Sequence, residues 1–302
     1  MSYEVAIEDY SDGHLGNLFD LFRTYFQPGD RLLTEAYSRW LYADNPFGLA
    51  RMVKVTEGGR WAGFMAMIPV ELARKGVSLR AYYVVNVLVD PKHQGKNLFG
   101  KMISAAKQAM AEEDFALMGH PNDMALKMWQ RGRMHFHESL RPSLVLPSLW
   151  RGGLRASQVR SPRELQAIFP ALTELAKASD RWAVVVTAEY LDWRFLQHPS
   201  NVYHMQRIEA NGVPVGVQVC KRVRPGVHLL IDQFMPTELA ARAISSLPLA
   251  TICFRPESVT NGLGSAVLAL PWKKRIPFFL TRRHEPELSL SVAGLGLAAS
   301  DF

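Results

Sequence analysis

Apolar side chains recur along this chain in two rhythms, every second residue and every third or fourth, and the switches between them outline alternating strands and helices. Residues 3–7 alternate like a short strand. Leu15, Leu18, Phe19, Leu21, Phe22 and Phe26 then follow helical spacing, with Asp12 as the expected N-cap. After the Pro28-Gly29 break, residues 32–42 read as a second helix with Leu33, Tyr37, Trp40 and Leu41 along one side, ending before Asn45-Pro46. Residues 50–56 and 61–70 make a hairpin across Glu57, Gly58 and Gly59, the glycine pair supplying the positive backbone angles a tight turn needs. Residues 77–89 form a long strand.

That strand runs into a stretch of distinct character, VVNVLVDPKHQGKNLFGKMI from Val84 to Ile103. Pro91 cannot donate to a sheet ladder and ends the strand. Gln94, Gly95, Lys96 and Asn97 form a polar turn, after which Leu98, Phe99, Met102, Ile103, Ala106 and Met110 take up helical spacing. A helix start leaves backbone N–H groups without intrahelical partners, and with the macrodipole these attract an anion. Lys92, Lys96 and Lys101 add positive charge nearby. Residues 115–119 are a second short strand, and His120, Pro121 and Asn122 lead into a helix carrying Ala125, Met128 and Trp129. Gly132 and a strand over residues 134–146 follow.

Past Pro147 the composition shifts, and Trp150, Arg151, Gly152 and Gly153 read as a linker. Ser161-Pro162 starts a helix through Leu165, Ile168, Phe169, Leu172 and Leu175. Residues 184–186 are a short apolar run, and Thr187 caps a further helix that ends at Pro199. Strands follow at 202–208, 213–222 and 227–234, with Asn211-Gly212 as the hairpin turn between the first two. A helix over 237–247, a strand over 250–254 and strands near Val267 and Phe278 complete the pattern. This order repeats the plan of the first half. The expected fold class is α/β (α+β), with two tandem domains at 1–147 and 148–302, each a twisted mixed β-sheet flanked by helices.

Composition narrows the functional classes. With 302 residues, 48% of them hydrophobic and 21% charged, the chain has room for two cores. No apolar run reaches about 18 residues, and the first residues form neither a basic leader nor an apolar signal segment, so a cytoplasmic protein without a membrane span is expected. Cys220 and Cys253 both sit in apolar strand-like runs and read as buried thiols, with neither a disulfide framework nor a metal cluster. The net charge of +7 is unevenly placed: residues 1–147 carry 17 Lys and Arg against 16 Asp and Glu, and residues 148–302 carry 18 against 12. Clusters at Lys221, Arg222 and Arg224, at Lys273, Lys274 and Arg275, and at Arg282 and Arg283 read as solvated faces or as contacts for an acidic ligand. Nucleic acid is the poorer reading, since no RRM, zinc-finger or helix-turn-helix signature accompanies the charge.

The strand–turn–helix stretch resembles the signature of the GNAT superfamily of acyl-coenzyme A-dependent N-acetyltransferases. That signature is a strand ending in valine, a proline-containing turn, then Arg or Gln, Gly, any residue, Gly, an aliphatic residue and Gly or Ala. Val89, Pro91, Gln94, Gly95 and Leu98 match as they stand; Asn97 replaces the central glycine and Phe99 the small residue. Asn122 matches the asparagine that opens a later family helix, and Trp129 falls where that helix often presents a tyrosine. The block from Glu189 to Arg194, with Pro199 and Tyr203, looks like the second half of two-domain members. There, however, Leu230 to Pro236 pass straight to a helix without a Gln-Gly turn, so the second half resembles a degenerate GNAT-like domain, one that closes over the substrate of the first.

The resemblance implies acetyl-CoA, or another acyl-CoA, as donor substrate. Its pyrophosphate would lie on Gln94, Gly95, Lys96, Asn97, Leu98 and Phe99, with Asn122 close by. Its pantetheine arm would run along Val87, Leu88 and Val89, between strands that splay apart at 84–89 and 115–119. One backbone N–H there would polarise the thioester carbonyl. The acceptor is expected to be a primary amine on a small molecule such as an amino sugar, a nucleotide sugar or an amino acid, and the basic second half allows it to be acidic. A general base must remove the amine's proton, and His120 is the first candidate, followed by Asp123 and Tyr83, with Tyr82 beside it. His120 bonded to backbone ahead of a helix is the plain structural alternative. His93 falls nearer the phosphates than the chemistry. Trp193 reads as core, and Arg194 as a helix-surface residue or as a clamp on an acidic part of the substrate. Two rival functions stand beside the enzyme, a catalytically silent GNAT-like scaffold and a nucleic-acid-binding module.

Overall fold

The computed structural model describes residues 2–137, 139–147, 153–245, 249–256, 267–270 and 275–283. The first half contains β1 (Glu4–Asp9), α1 (Leu15–Phe22), α2 (Glu35–Tyr42), β2 (Arg51–Glu57), β3 (Arg60–Arg74), β4 (Val77–Val89), α3 (Leu98–Glu113), β5 (Ala116–Gly119), α4 (Asp123–Arg131) and β6 (Leu140–Val145). The second contains β7 (Leu154–Val159), α5 (Phe169–Ala178), β8 (Ala183–Val184), α6 (Ala188–Leu191), β9 (His204–Ala210), β10 (Val213–Arg224), β11 (Val227–Phe234), α7 (Thr237–Ser245), β12 (Ala250–Pro256), β13 (Val267–Ala269) and β14 (Phe279–Arg282).

Local chemistry accounts for most of these boundaries. Gly58 and Gly59 turn the first hairpin with φ of 57° and 80°, and Asn211 and Gly212 turn the second with φ of 51° and 83°. Thr34 and Thr187 cap α2 and α6, accepting from the backbone N–H groups of Tyr37 and Tyr190. The expected cap at Asp12 is displaced by one residue: Ser11 precedes a short 3-10 turn, and the Asp12 carboxylate accepts from the Tyr10 hydroxyl and from Arg39. The helix expected over 32–42 is likewise split, into a 3-10 turn at Arg31–Leu33 and α2, because Thr34 is extended. The strand β7, an edge strand paired with β9, escapes the pattern because three of its four middle positions, Arg155, Ser157 and Gln158, are polar. The linker expected at 150–153 lies outside the described residues apart from Gly153, as do Lys273 and Lys274.

Two mixed sheets result. The first has the order β1-β2-β3-β4-β5-β14, with β8 added to β3, and the second the order β13-β6-β12-β11-β10-β9-β7. The units exchange strands. From the first half, β6 crosses to pair antiparallel with β12, and β14 returns from the far end of the chain to pair antiparallel with β5. The crossing segments run side by side: Leu140 and Ile276 exchange backbone bonds of 2.9 and 3.0 Å, and the His137 N–H reaches the Phe278 carbonyl at 2.9 Å. The strand expected over 134–146 is therefore confined to Leu140–Val145, with residues 134–137 before it in the crossover. Residues 1–147 supply β6 to the second sheet, and residues 148–302 supply β8 and β14 to the first.

One face of the first sheet is covered by α3 and α4, which bury Met102, Ile103 and Trp129 against Val53, Met65 and Met67. The other face carries Leu18, Phe22, Trp40 and Phe64 in a cluster that continues through Trp182, Trp193, Tyr203 and Val217 of the second unit. The two halves thus share a core. Cys220 and Cys253 are buried and form no disulfide, and burial pushes the Cys220 thiol up to about 12.

Candidate active site

β4 and β5 run parallel but pair only where Ala81, Tyr82 and Tyr83 face Ala116, Leu117 and Met118. Beyond Tyr83, β4 continues to Val89 without β5 beside it. A bulge helps separate them: Phe64 faces Leu88 and Ala66 faces Val85, so Asn86 and Val87 together oppose Met65. Asn86 has φ of 51°, a left-handed conformation asparagine tolerates, and its side-chain amide donates to the Tyr42 hydroxyl at 2.7 Å. Asn86 was not anticipated; the available signal was a lone polar residue inside the apolar run of β4.

Past this pairing the β5-side edge of β4 has no strand beside it, a gap whose lining follows from backbone alternation. The Asp90 N–H bonds to the Ala62 carbonyl in β3, at 2.9 Å. Successive residues of a strand direct their backbone groups to opposite edges, so those of Val89 and Val87 point into the gap and those of Leu88 point to β3. Of the three residues expected to line the arm, Leu88 is thus engaged within the sheet. The Val89 carbonyl accepts from the Tyr25 hydroxyl, which in turn accepts from the Gln94 side-chain amide at 3.1 Å. Nothing in the sequence pattern pointed to Tyr25.

The polar turn follows. Asp90 accepts from the Lys92 N–H, Pro91–His93 make one 3-10 turn, and Gly95 and Asn97 take φ of 76° and 57° before α3 begins at Leu98. Asn97 adopts the left-handed conformation that a glycine would, and its carboxamide folds over the first turn of the helix. A Cβ on Gly100 would lie 2.4 Å from the Asn97 Oδ1, so Gly100 is what makes room for Asn97. Gln94, Gly95, Lys96 and Asn97 are exposed, whereas Leu98 is buried. Phe99 packs edge-on against Trp129 at 5.5 Å. His93 is turned away from the helix start, its Nδ1 lying 3.1 Å from the Tyr3 hydroxyl and 3.7 Å from the Glu57 carboxylate.

At the other end of the gap, strand β14 meets the candidate bases. His120 Nδ1 lies 3.1 Å from the Pro277 carbonyl. A carbonyl only accepts, so Nδ1 carries the proton and the neutral ring has its lone pair on Nε2. Nε2 is buried in this state. Phe278 sits between the rings of His120, at 4.8 Å, and His137, at 5.5 Å, while Tyr83 flanks His120 at 6.0 Å. Burial, then the neighbouring His135, holds His137 below the usual histidine range. Burial raises the Tyr83 phenol well above its ordinary value, Arg194 opposing and Tyr190 and Asp232 adding to the rise. Tyr83 is therefore a neutral hydroxyl near pH 7, able to donate rather than to take a proton.

The structure brings Tyr83 and His120 together. Asp123 is exposed in the first turn of α4, and Asn122 is that helix's N-cap, accepting from the Ala125 N–H at 2.9 Å. Trp129, 2% exposed, stacks on Phe279 at 4.8 Å and belongs to the core. Arg194 corrects the sequence reading: it lies not on a helix surface but at 0% exposure, because the chain from Asp192 to Leu196 forms a π-helical turn that carries it inward. Its guanidinium lies over the rings of Phe195 and Trp40, at 5.3 and 5.9 Å. Trp193 is core, as expected.

The second sheet shows the same splay without the same opening. β11 pairs with β12 only from Val227 to Leu229 and runs on to Phe234. Here Gln233 donates to Gln218 and to the Ala240 carbonyl of α7, and a Cβ on Gly216 would lie 2.3 Å from the Met235 Cβ. Buried Met235 and half-buried Pro236 lead straight to α7, without a counterpart of the turn at Gln94 to Asn97. Among the described residues there is no cluster of three or more side chains suited to a metal ion, and no helix is long and apolar enough to cross a membrane.

Comparison with known proteins agrees with this geometry. The family model described as an acetyltransferase (GNAT) domain matches residues 6–124. Comparison with curated protein sequences gave no match. Among solved structures, a probable N-acyltransferase from Enterococcus faecalis aligns with a TM-score of 0.66 at 11% identity, over 92% of this chain and 73% of that one. A GCN5-related N-acetyltransferase from Anabaena variabilis aligns at 0.63 and 14% identity, over 92% and 72%. A tandem GNAT protein from the clavulanic acid biosynthesis pathway aligns at 0.55 and 12% identity, over 92% of this chain and 98% of its own. The bulged, splayed strand and the glycine turn agree with the matched model: residues 6–124 match a GNAT acetyltransferase domain, and the chain as a whole shares its fold with solved GNAT structures, a tandem GNAT protein among them.

Proposed function

We propose that this protein transfers an acetyl or other short acyl group from coenzyme A to a primary amine of a small molecule, such as an amino sugar, a nucleotide sugar or an amino acid. Transfer proceeds by direct attack in a ternary complex. The observation that carries the reading is the unpaired edge of β4 past Tyr83, with the backbone of Val87 and Val89 on it and the exposed turn Gln94 to Asn97 at its end. An extended thioester arm fits beside such an edge as an added strand, with its pyrophosphate at the start of α3. The Val87 or Val89 N–H then stabilises the oxyanion formed when the amine attacks. The amine gives its proton to His120 Nε2, which the Pro277 carbonyl leaves as the basic nitrogen, and the neutral Tyr83 hydroxyl is placed to donate beside it. The new amide and free coenzyme A thiol leave.

Coenzyme A should raise the melting temperature by mass action. Absence of any shift at millimolar ligand would remove the donor assignment. Release of thiol from acetyl-CoA with a panel of amines then separates turnover from binding. A silent scaffold is the second reading, and the burial of His120 Nε2 and of Trp129 favours it; ligand stabilisation without thiol release for any amine would establish it.

A further inference from the structure

The gap beside β4 is closed at one end by a side chain from the start of the domain. Tyr25 lies just past α1 and is 42% exposed. Its backbone is fixed: the N–H groups of Tyr25 and Phe26 both bond to the Phe22 carbonyl, and Phe22 is packed between Phe26 and Phe64. The side chain reaches out from this anchored turn. Its hydroxyl donates to the Val89 carbonyl at 2.5 Å and accepts from the Gln94 amide at 3.1 Å.

The Val89 carbonyl points into the gap, because the neighbouring Asp90 N–H is engaged with Ala62 of β3. A strand-like ligand in that gap would offer an amide N–H to this same oxygen, as a real neighbouring strand would. Adjacent strands lie about 4.8 Å apart, and a hydroxyl 2.5 Å from the carbonyl stands inside that spacing. The phenol and the arm of a ligand therefore exclude one another.

We propose that Tyr25 is a donor-site residue that acts as a placeholder. In the ligand-free protein its hydroxyl satisfies the Val89 carbonyl. On binding, an amide of the donor's arm takes that place, Tyr25 swings outward about its side-chain torsions, and the Gln94 side chain is released beside the anion-binding turn. This rests on the reading of the gap as the donor site.

The test compares wild type with Tyr25→Phe, a change that keeps the ring and removes only the hydroxyl. The dissociation constant and association rate of coenzyme A are measured, and in parallel those of adenosine 3′-phosphate 5′-diphosphate, which carries the pyrophosphate but no pantetheine arm. Loss of one hydrogen bond that binding must break corresponds to about threefold to tenfold tighter coenzyme A binding by Tyr25→Phe, with faster association and an unchanged affinity for the armless nucleotide. Equal or weaker coenzyme A binding by the variant overturns the placeholder role. An equal shift for both ligands also overturns it, since Tyr25 would then act on the turn through Gln94. Failure of wild type to bind coenzyme A at all would instead defeat the donor reading itself.

Discussion

Trp40 and Trp193 hydrogen-bond each other's backbone: the indole of each donates to the carbonyl of the other, at 2.8 and 2.7 Å, and the rings stack 5.5 Å apart at 23°. They occupy the same place in two copies of one pattern. Thr34, Tyr37, Trp40 and Pro46 recur as Thr187, Tyr190, Trp193 and Pro199, and each threonine caps its helix through the N–H of the following tyrosine. A contact in which equivalent residues exchange equivalent bonds marks a local two-fold axis. Gly63 and Gly216 share the same offset of 153 residues, each directly after an extra residue, Ala62 or Val215, in the long strand's pairing with the strand before it. The strand exchange of β6 and β14 follows the same relation.

Both indoles are buried, so Trp40→Phe or Trp193→Phe leaves a carbonyl in the shared core without its donor. Each is expected to lower stability by about 1–3 kcal/mol. Chemical denaturation of both variants checks this, and equal loss from the two would follow from the two-fold relation.

Gly100→Ala would force a methyl against the Asn97 carboxamide. The Asn97 carboxamide is the far end of an exposed side chain and can turn aside, so the expected cost is below about 1 kcal/mol, with alanine's better helix propensity offsetting part of it. Asn97→Gly in the same background should restore stability, because glycine accepts the left-handed backbone and removes the clashing side chain. Thermal melts of the single and double variants decide whether the two residues are coupled.

His120 should show a protonated Nδ1 and a bare Nε2 in its neutral form, readable from the 15N shifts of the imidazole. The opposite tautomer would contradict the Pro277 bond. If the ring takes the amine's proton, His120→Ala lowers turnover at least a hundredfold, the lower end for general-base catalysis, and leaves coenzyme A affinity nearly unchanged.

Acid should destabilise the fold in a window set by two histidines. His137 and His228 are both held below the usual value, in each case chiefly by burial. The unfolded chain then binds protons first as pH falls, so their contribution is complete above the unfolded value of about 6.5 and is lost on descending through the folded values. Melting temperature should begin to drop as pH falls below about 6.5. The double variant His137→Gln, His228→Gln should show a shallower drop, and an unchanged slope would assign the acid sensitivity elsewhere.

Contiguous residues by themselves determined the bounds of β4, the start of α3, both glycine hairpins and the caps at Thr187 and Asn122. Each depends on turn chemistry or periodicity that a few neighbouring positions carry in full. Tertiary structure alone decided what depends on distant partners. A short apolar strand pairs equally well with any complementary edge, so nothing in residues 140–145 or 279–282 says that they exchange sheets. His120 and Pro277 are 157 residues apart, and Tyr25 and Val89 are 64 apart, so neither bond has a local signature. Arg194 reads as a surface residue in any regular helix; only the π-helical turn rotates it into the core. The exposed turn before α3 was therefore legible in the sequence, while the side chains beside it and those around the candidate base were settled by packing between the two halves.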